Sequence, residues 1–168
     1  MIFGDIITKD KSDGYKKLRY SYMVKNVLHV IAMNAPHWRI ARFFYKLRGT
    51  KIGDNVAIGH QAFLEETRPW LIEIGNDVVV GPRTIITVQD GSYHRSNPEY
   101  PTIKKKVVIE DSVYIGAGVN IIRGVRIGEN SIIGAGSVVI HDIPPNSVAV
   151  GNPARVIKST KDLKLAET

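Results

Sequence analysis

Between Ile109 and Pro144 an aliphatic residue returns at every sixth position: Ile109, Ile115, Ile121, Ile127, Ile133 and Val139. Gly follows the aliphatic opener at positions 116, 128 and 134, and a small or β-branched residue usually stands four positions after it. A period of six matches neither the 3.6-residue repeat of a helix nor the two-residue alternation of a continuous strand. It suits a chain that makes a short strand, turns a corner and repeats, with β-branched residues in the strands and the glycines expected to supply positive φ at the corners. That is the signature of a β-helix, whose in-phase openers stack into a narrow aliphatic core along the axis.

The same phase occurs upstream, at Ile52 and Ile58 with Leu64 following, and again at Ile74, Val80 and Ile86. Leu64 and Ile74 are ten residues apart, so about four extra residues interrupt the coil at Glu65–Trp70. Ile86 and Ile109 are 23 apart, so a longer excursion, residues 89–107, leaves it there. That segment is rich in Gly, Ser, Asn and Pro, carries three consecutive lysines and has no repeat phase, which predicts a loop.

Before Gly49 the pattern is helical. Ser12 or Asp13 is a candidate cap for a helix through Tyr15, Leu18, Tyr22, Val24, Leu28 and Ile31. Asn34 is a candidate cap for a second, with Pro36 in its first turn and Trp38, Ala41, Phe44, Tyr45 and Leu47 following. The chain divides accordingly into an N-terminal helical segment (1–50), a coil (51–158) and a tail (159–168).

Charge sharpens this division. The net charge is +7; residues 1–50 hold ten Lys/Arg against three Asp/Glu, and residues 51–168 hold thirteen of each. Two readings of the basic helices compete: a cap on the open end of the coil with a solvated basic face, or a peripheral contact with a membrane surface or a lipid-linked substrate. Nucleic-acid binding has charge but no motif behind it. The chain has no Cys, which excludes disulfides and thiolate metal sites. No signal-peptide pattern opens it, and Tyr22–Ala35 is too short and polar to span a bilayer, so a cytoplasmic protein is expected.

The runs VVIEDSVYIGAGVNI, GVRIGENSIIGAGSVV and DIPPNSVAVGNPARVIK, with RPWLIEIGNDVVVGPRTIIT upstream, resemble the hexapeptide-repeat acetyltransferases, and the sugar and polysaccharide O-acetyltransferases among them. The resemblance implies an all-β left-handed parallel β-helix with three hexapeptides per turn, so that Ile109 stacks with Ile127, Ile115 with Ile133 and Ile121 with Val139. It also implies a homotrimer with acetyl-CoA in the groove between subunits, and no metal.

Transfer of acetyl to a hydroxyl needs a base, and imidazole titrates in the useful range. The family carries its catalytic His in the loop before the C-terminal coils, where His94 is the only histidine; Asp90-Gly-Ser-Tyr-His94 stands where the family often shows a DHxH-like run. Asp90 and Glu99 are candidates to orient it. Position by position, Ala117 and Ala135 match small residues beside the pantetheine arm, and Ile140 and His141 match the next pair along the groove. Arg155 and Lys158 match residues that meet the phosphates, where Arg offers a fork and Lys a point charge. Tyr114 stands in place of a Trp, and Arg123 in place of a Pro. His29 and His37 read as packing or surface residues, and His60 as exposed at a corner.

The expected function is acetyl transfer from acetyl-CoA to a hydroxyl of a sugar, polysaccharide or lipid-linked saccharide, directly in a ternary complex with His94 as base. The alternatives are N-acetylation of an amino sugar or antibiotic on the same scaffold, and a trimeric scaffold without activity. A zinc lyase on the same solenoid would need paired coil histidines, and the coils after the loop contain only His141.

Overall fold

In the computed structural model the described residues are 15–163, with side chains described from Met23 onward. Each hexapeptide gives a strand of two or three residues whose last member is the aliphatic opener, turned inward; Ile115, Ile121, Ile127, Ile133 and Val139 are buried. The strands form three parallel stacks. The first holds Lys51–Ile52, Ile72–Ile74, Val107–Ile109 and Arg126–Ile127. The second holds Ala57–Ile58, Val79–Val80, Tyr114–Ile115, Ile132–Ile133 and Ser147–Val150, and an antiparallel strand, Arg155–Ser159, finishes it. The third holds Phe63–Leu64, Ile85–Ile86, Asn120–Ile121 and Val138–Val139.

The register is the one expected from three sixes per turn: Ile109 pairs with Ile127, Ile115 with Ile133 and Ile121 with Val139. Between the first two turns the partners are Ile52–Ile74, Ile58–Val80 and Leu64–Ile86, each 22 apart, which is 18 plus the four inserted residues. The coil thus takes up the residues inserted at Glu65–Trp70, where Glu65 and Pro69 are buried, without losing phase.

The corners correct one expectation. Positive φ falls three residues after the opener, at Asn55, Asp77, Ser112, Asn130 and Asn146 in one column and at Gly118, Gly124 and Gly136 elsewhere, and not at the glycine directly after it. Asn, Asp and Gly tolerate that left-handed region. The post-opener glycines answer to close stacking instead. A Cβ on Gly116 would lie 2.5 Å from the Ala135 amide nitrogen in the next coil, and one on Gly81 would lie 2.5 Å from the Gly116 carbonyl carbon.

The outward residues differ by face. The first stack presents Lys51, Glu73 and Arg126; Glu73 is bridged by Lys51 at 2.7 Å and Lys106 at 2.8 Å, and Arg126 pairs with Glu110. The two lysines hold the Glu73 carboxyl below its ordinary range. The second stack presents Ala57, Val79, Tyr114 and Ile132, and the third Phe63, Ile85, Asn120 and Val138. Two faces are therefore largely apolar and one is charged.

Helices α1 (Tyr15–Met33) and α2 (Trp38–Leu47) cover the open end of the coil. The Gln61 amide donates to the Met33 carbonyl, the Tyr45 hydroxyl to the Ala62 carbonyl, and the buried Arg48 guanidinium to the carbonyls of Lys25, Leu64 and Glu65. His29 lies edge-on to Phe63 and Tyr45, its ring nitrogens buried and unpartnered. Of the competing readings, capping describes the inward faces. The cap of α2 is His37, whose Nδ1 accepts from the Arg39 amide; Asn34 instead donates to the Val30 carbonyl at the end of α1. The candidate caps Ser12 and Asp13 lie outside the described residues. Beyond Arg155–Ser159 the chain makes one tight turn, Thr160–Asp162.

Candidate active site

The excursion after Val88 is more ordered than the loop expected from its composition. Gln89–Asp90 pairs antiparallel with Ile103–Lys104, and Ser92–Ser96 forms one helical turn between them. Asp90 organises the base of this turn. Its Oδ1 accepts from the Ser92 amide at 2.9 Å and its Oδ2 from Arg123 Nη2 at 2.8 Å. Hydrogen bonds from Ser92, with the guanidinium behind them, bring the Asp90 carboxyl down to about 2. Arg123, which had no role by resemblance, is thus the anchor that ties the excursion to the next coil.

His94 is exposed on the helical turn, with Nδ1 2.7 Å from the Tyr100 carbonyl oxygen. A carbonyl only accepts, so this contact puts the proton on Nδ1 and leaves Nε2 with its lone pair. The expected orienting carboxylates give way to a backbone group: Asp90 is engaged by Ser92 and Arg123, and the ring partner is Tyr100. No side-chain pattern marks a backbone acceptor, so the sequence carried no signal for it.

The remaining candidates fall on two corners of the prism. Ala117 and Ala135 are exposed at the turn after the second stack, one above the other, with the Gly136 amide donating to the Ala117 carbonyl at 2.8 Å. A Cβ on neighbouring Gly118 or Gly136 would meet no atom within 4 Å, so this corner is open. Tyr114 projects from the same stack beside Ile132. Arg155 and Lys158 are exposed on its last strand; Arg155 Nη1 donates to the Ala154 carbonyl. Half-buried Ile140 and exposed His141 follow the third stack, at the corner where Arg123 stands one coil earlier. The apolar face of Phe63, Ile85, Asn120 and Val138 separates the two corners.

Two grooves open on the charged face, one beside Glu73 and Asp111 and one beside Arg126 and Pro144; neither includes His94 or the other candidates. Among the described residues no cluster of three or more His, Asp or Glu is placed to hold a metal ion.

Residues 106–141 match the family model "Bacterial transferase hexapeptide (six repeats)". The maltose O-acetyltransferase of Clostridium difficile is 31% identical and superposes with a TM-score of 0.61 over 86% of this chain and 88% of that one. The chain belongs to the hexapeptide-repeat acetyltransferases. Its coil is the left-handed parallel β-helix of that family, an exception to the usual right-handed crossover. A hexapeptide-repeat acetyltransferase of Vibrio cholerae, solved with acetyl-CoA, is 28% identical with a TM-score of 0.62 over 91% of this chain and 94% of that one. The galactoside O-acetyltransferase of Lactococcus lactis is 45% identical over 95 residues, 54% of this chain and 44% of that one. The chain spans about half the length of the curated relatives it matches.

Proposed function

We propose that this hexapeptide-repeat protein transfers acetyl from acetyl-CoA to a hydroxyl of a saccharide. The observation that carries the reading is His94: a ring on an ordered turn, with Nδ1 committed to a carbonyl and Nε2 free to accept a proton. Acetyl-CoA supplies the acyl group as a thioester. Nε2 takes the proton of the acceptor hydroxyl as that oxygen bonds to the acyl carbon, and returns it to the sulfur as the C–S bond breaks. No covalent enzyme intermediate is required, and the chain has no Cys to form a thioester.

The open corner at Ala117 and Ala135 suits a narrow pantetheine arm, with Tyr114, Ile140 and His141 as further contacts and Arg155 and Lys158 free to meet phosphates. His94 stands on the corner that Ile140 and His141 share, Ala117 and Ala135 stand on the next corner beside Tyr114, Arg155 and Lys158, and two faces of the prism are apolar. Both features support a homotrimer in which one subunit's His94 faces its neighbour's coenzyme corner. An acceptor carried on a lipid would bring the enzyme to a membrane surface, and the basic 1–50 segment suits such a place.

The test pairs acetyl-CoA calorimetry with acetyl transfer to a panel of saccharides. Saturable binding is expected, and His94→Ala should lower kcat by roughly 10² to 10⁴ with binding kept. Unchanged transfer by His94→Ala removes it as the base. Transfer to amino sugars alone would favour N-acetylation, and no binding at all would favour the inactive scaffold.

A further inference from the structure

The cap has an outer side that neither the coil nor the candidate site uses. Along α1 the inward positions are Leu28, His29, Ala32 and Met33, and Met23, Val24, Val27, Val30 and Ile31 lie on the opposite arc, exposed. Along α2 the inward positions are Ala41, Tyr45 and Arg48, and Ile40, Phe43 and Leu47 are exposed. Met23, Val27, Val30, Phe43 and Leu47 are 55–61% exposed. Eight large apolar side chains on two adjacent helices exceed the scattered exposure normal for a soluble surface.

Charge identifies the occupant. On α2, Arg39, Arg42 and Lys46 occupy the arc next to Ile40, Phe43 and Leu47, and Arg39 and Arg42 lie over the Trp38 ring at 5.2 and 5.9 Å. From Gly14 to Gly53 the sequence has nine Lys/Arg and no Asp or Glu. A second copy docking through the same two helices would set these cations against like charges, with no carboxylate on either helix to answer them. Other copies already have the two apolar prism faces available. A bilayer with anionic headgroups offers both an apolar phase for the exposed arc and counter-charge for its flank.

We infer that the outer side of the α1–α2 cap is a docking surface for anionic lipid membranes, seated at the interface without crossing it. Among the described residues no helix is long and apolar enough to cross a membrane. The use of this surface to reach a lipid-borne acceptor rests on the proposed function; its binding of lipid does not.

The test is co-sedimentation of the full chain with vesicles of phosphatidylglycerol and phosphatidylcholine, against pure phosphatidylcholine. The mass in solution and acetyl-CoA binding are measured on the same samples. Binding to the anionic vesicles is expected, and it should weaken as salt rises. Replacing Arg39, Arg42 and Lys46 together by Gln should weaken it by roughly tenfold to a hundredfold. Val27→Ser with Phe43→Ser should weaken it too, at unchanged acetyl-CoA binding. Equal binding to neutral vesicles overturns the assignment, as does no binding. A concentration-dependent mass that the Val27→Ser, Phe43→Ser pair abolishes would give the surface to a second copy instead. Loss of acetyl-CoA binding with vesicle binding intact would count against the proposed function alone.

Discussion

Arg123 shows how much a single corner residue can decide. Its guanidinium reaches across to Asp90, and Asp90 in turn holds the first amide of the turn that carries His94. Arg123→Ala should therefore loosen the turn and lower kcat by about tenfold with little change in KM for acetyl-CoA, since lost positioning costs rate before binding. Arg123→Lys should restore part of the rate. A rate unchanged in the Ala variant would show that the turn holds itself. At Gly116 the cost is steric: a methyl there meets the Ala135 backbone, so Gly116→Ala should destabilise by about 1–3 kcal/mol, read by denaturant unfolding.

The helical cap is an element with a buried polar interior, and that makes it sensitive to pH. Burial, with the Arg48 guanidinium nearby, lowers His29 from 6.5 to about 4. The folded cap holds a neutral ring, whereas the unfolded chain takes up a proton first as pH falls. Stability from this group is full above about pH 6.5, declines from there to about pH 4 and is level below, a loss of at most about 3 kcal/mol. His29→Leu should flatten that part of the melting-temperature profile. Arg48 is desolvated and spends its donors on three carbonyls, so Arg48→Ala should destabilise by about 2–4 kcal/mol by stranding them.

At the scale of the molecule, the prism sorts its surfaces. One face pairs its charges with itself, through Lys51, Glu73 and Lys106 and through Arg126 and Glu110, and has little left to offer a partner. The other two expose Val79, Tyr114 and Ile85. Under the trimer reading, the mass in solution should be three times 18.7 kDa. Charges placed on the apolar faces, as in Val79→Glu with Ile85→Glu, should reduce it to one copy and abolish transfer together. Active monomers would refute the shared site.

A period of six with β-branched openers determined the coil, its register, the insertion at Glu65–Trp70 and the excursion over 89–107, because stacking in a solenoid is local and repeats along the chain. The charge imbalance likewise marked off the N-terminal segment. Only the tertiary structure decided what the repeats do not encode. Positive φ fell on the third residue after most openers, and the glycine directly after an opener answered instead to the next coil, which leaves no room for a Cβ there. His94 found a backbone carbonyl, and Arg123 found Asp90 at a separation of 33 residues. The outer face of the cap emerged only when α1 and α2 were seen packed, since both helices carry apolar residues on more than one side and packing alone selects which side is covered.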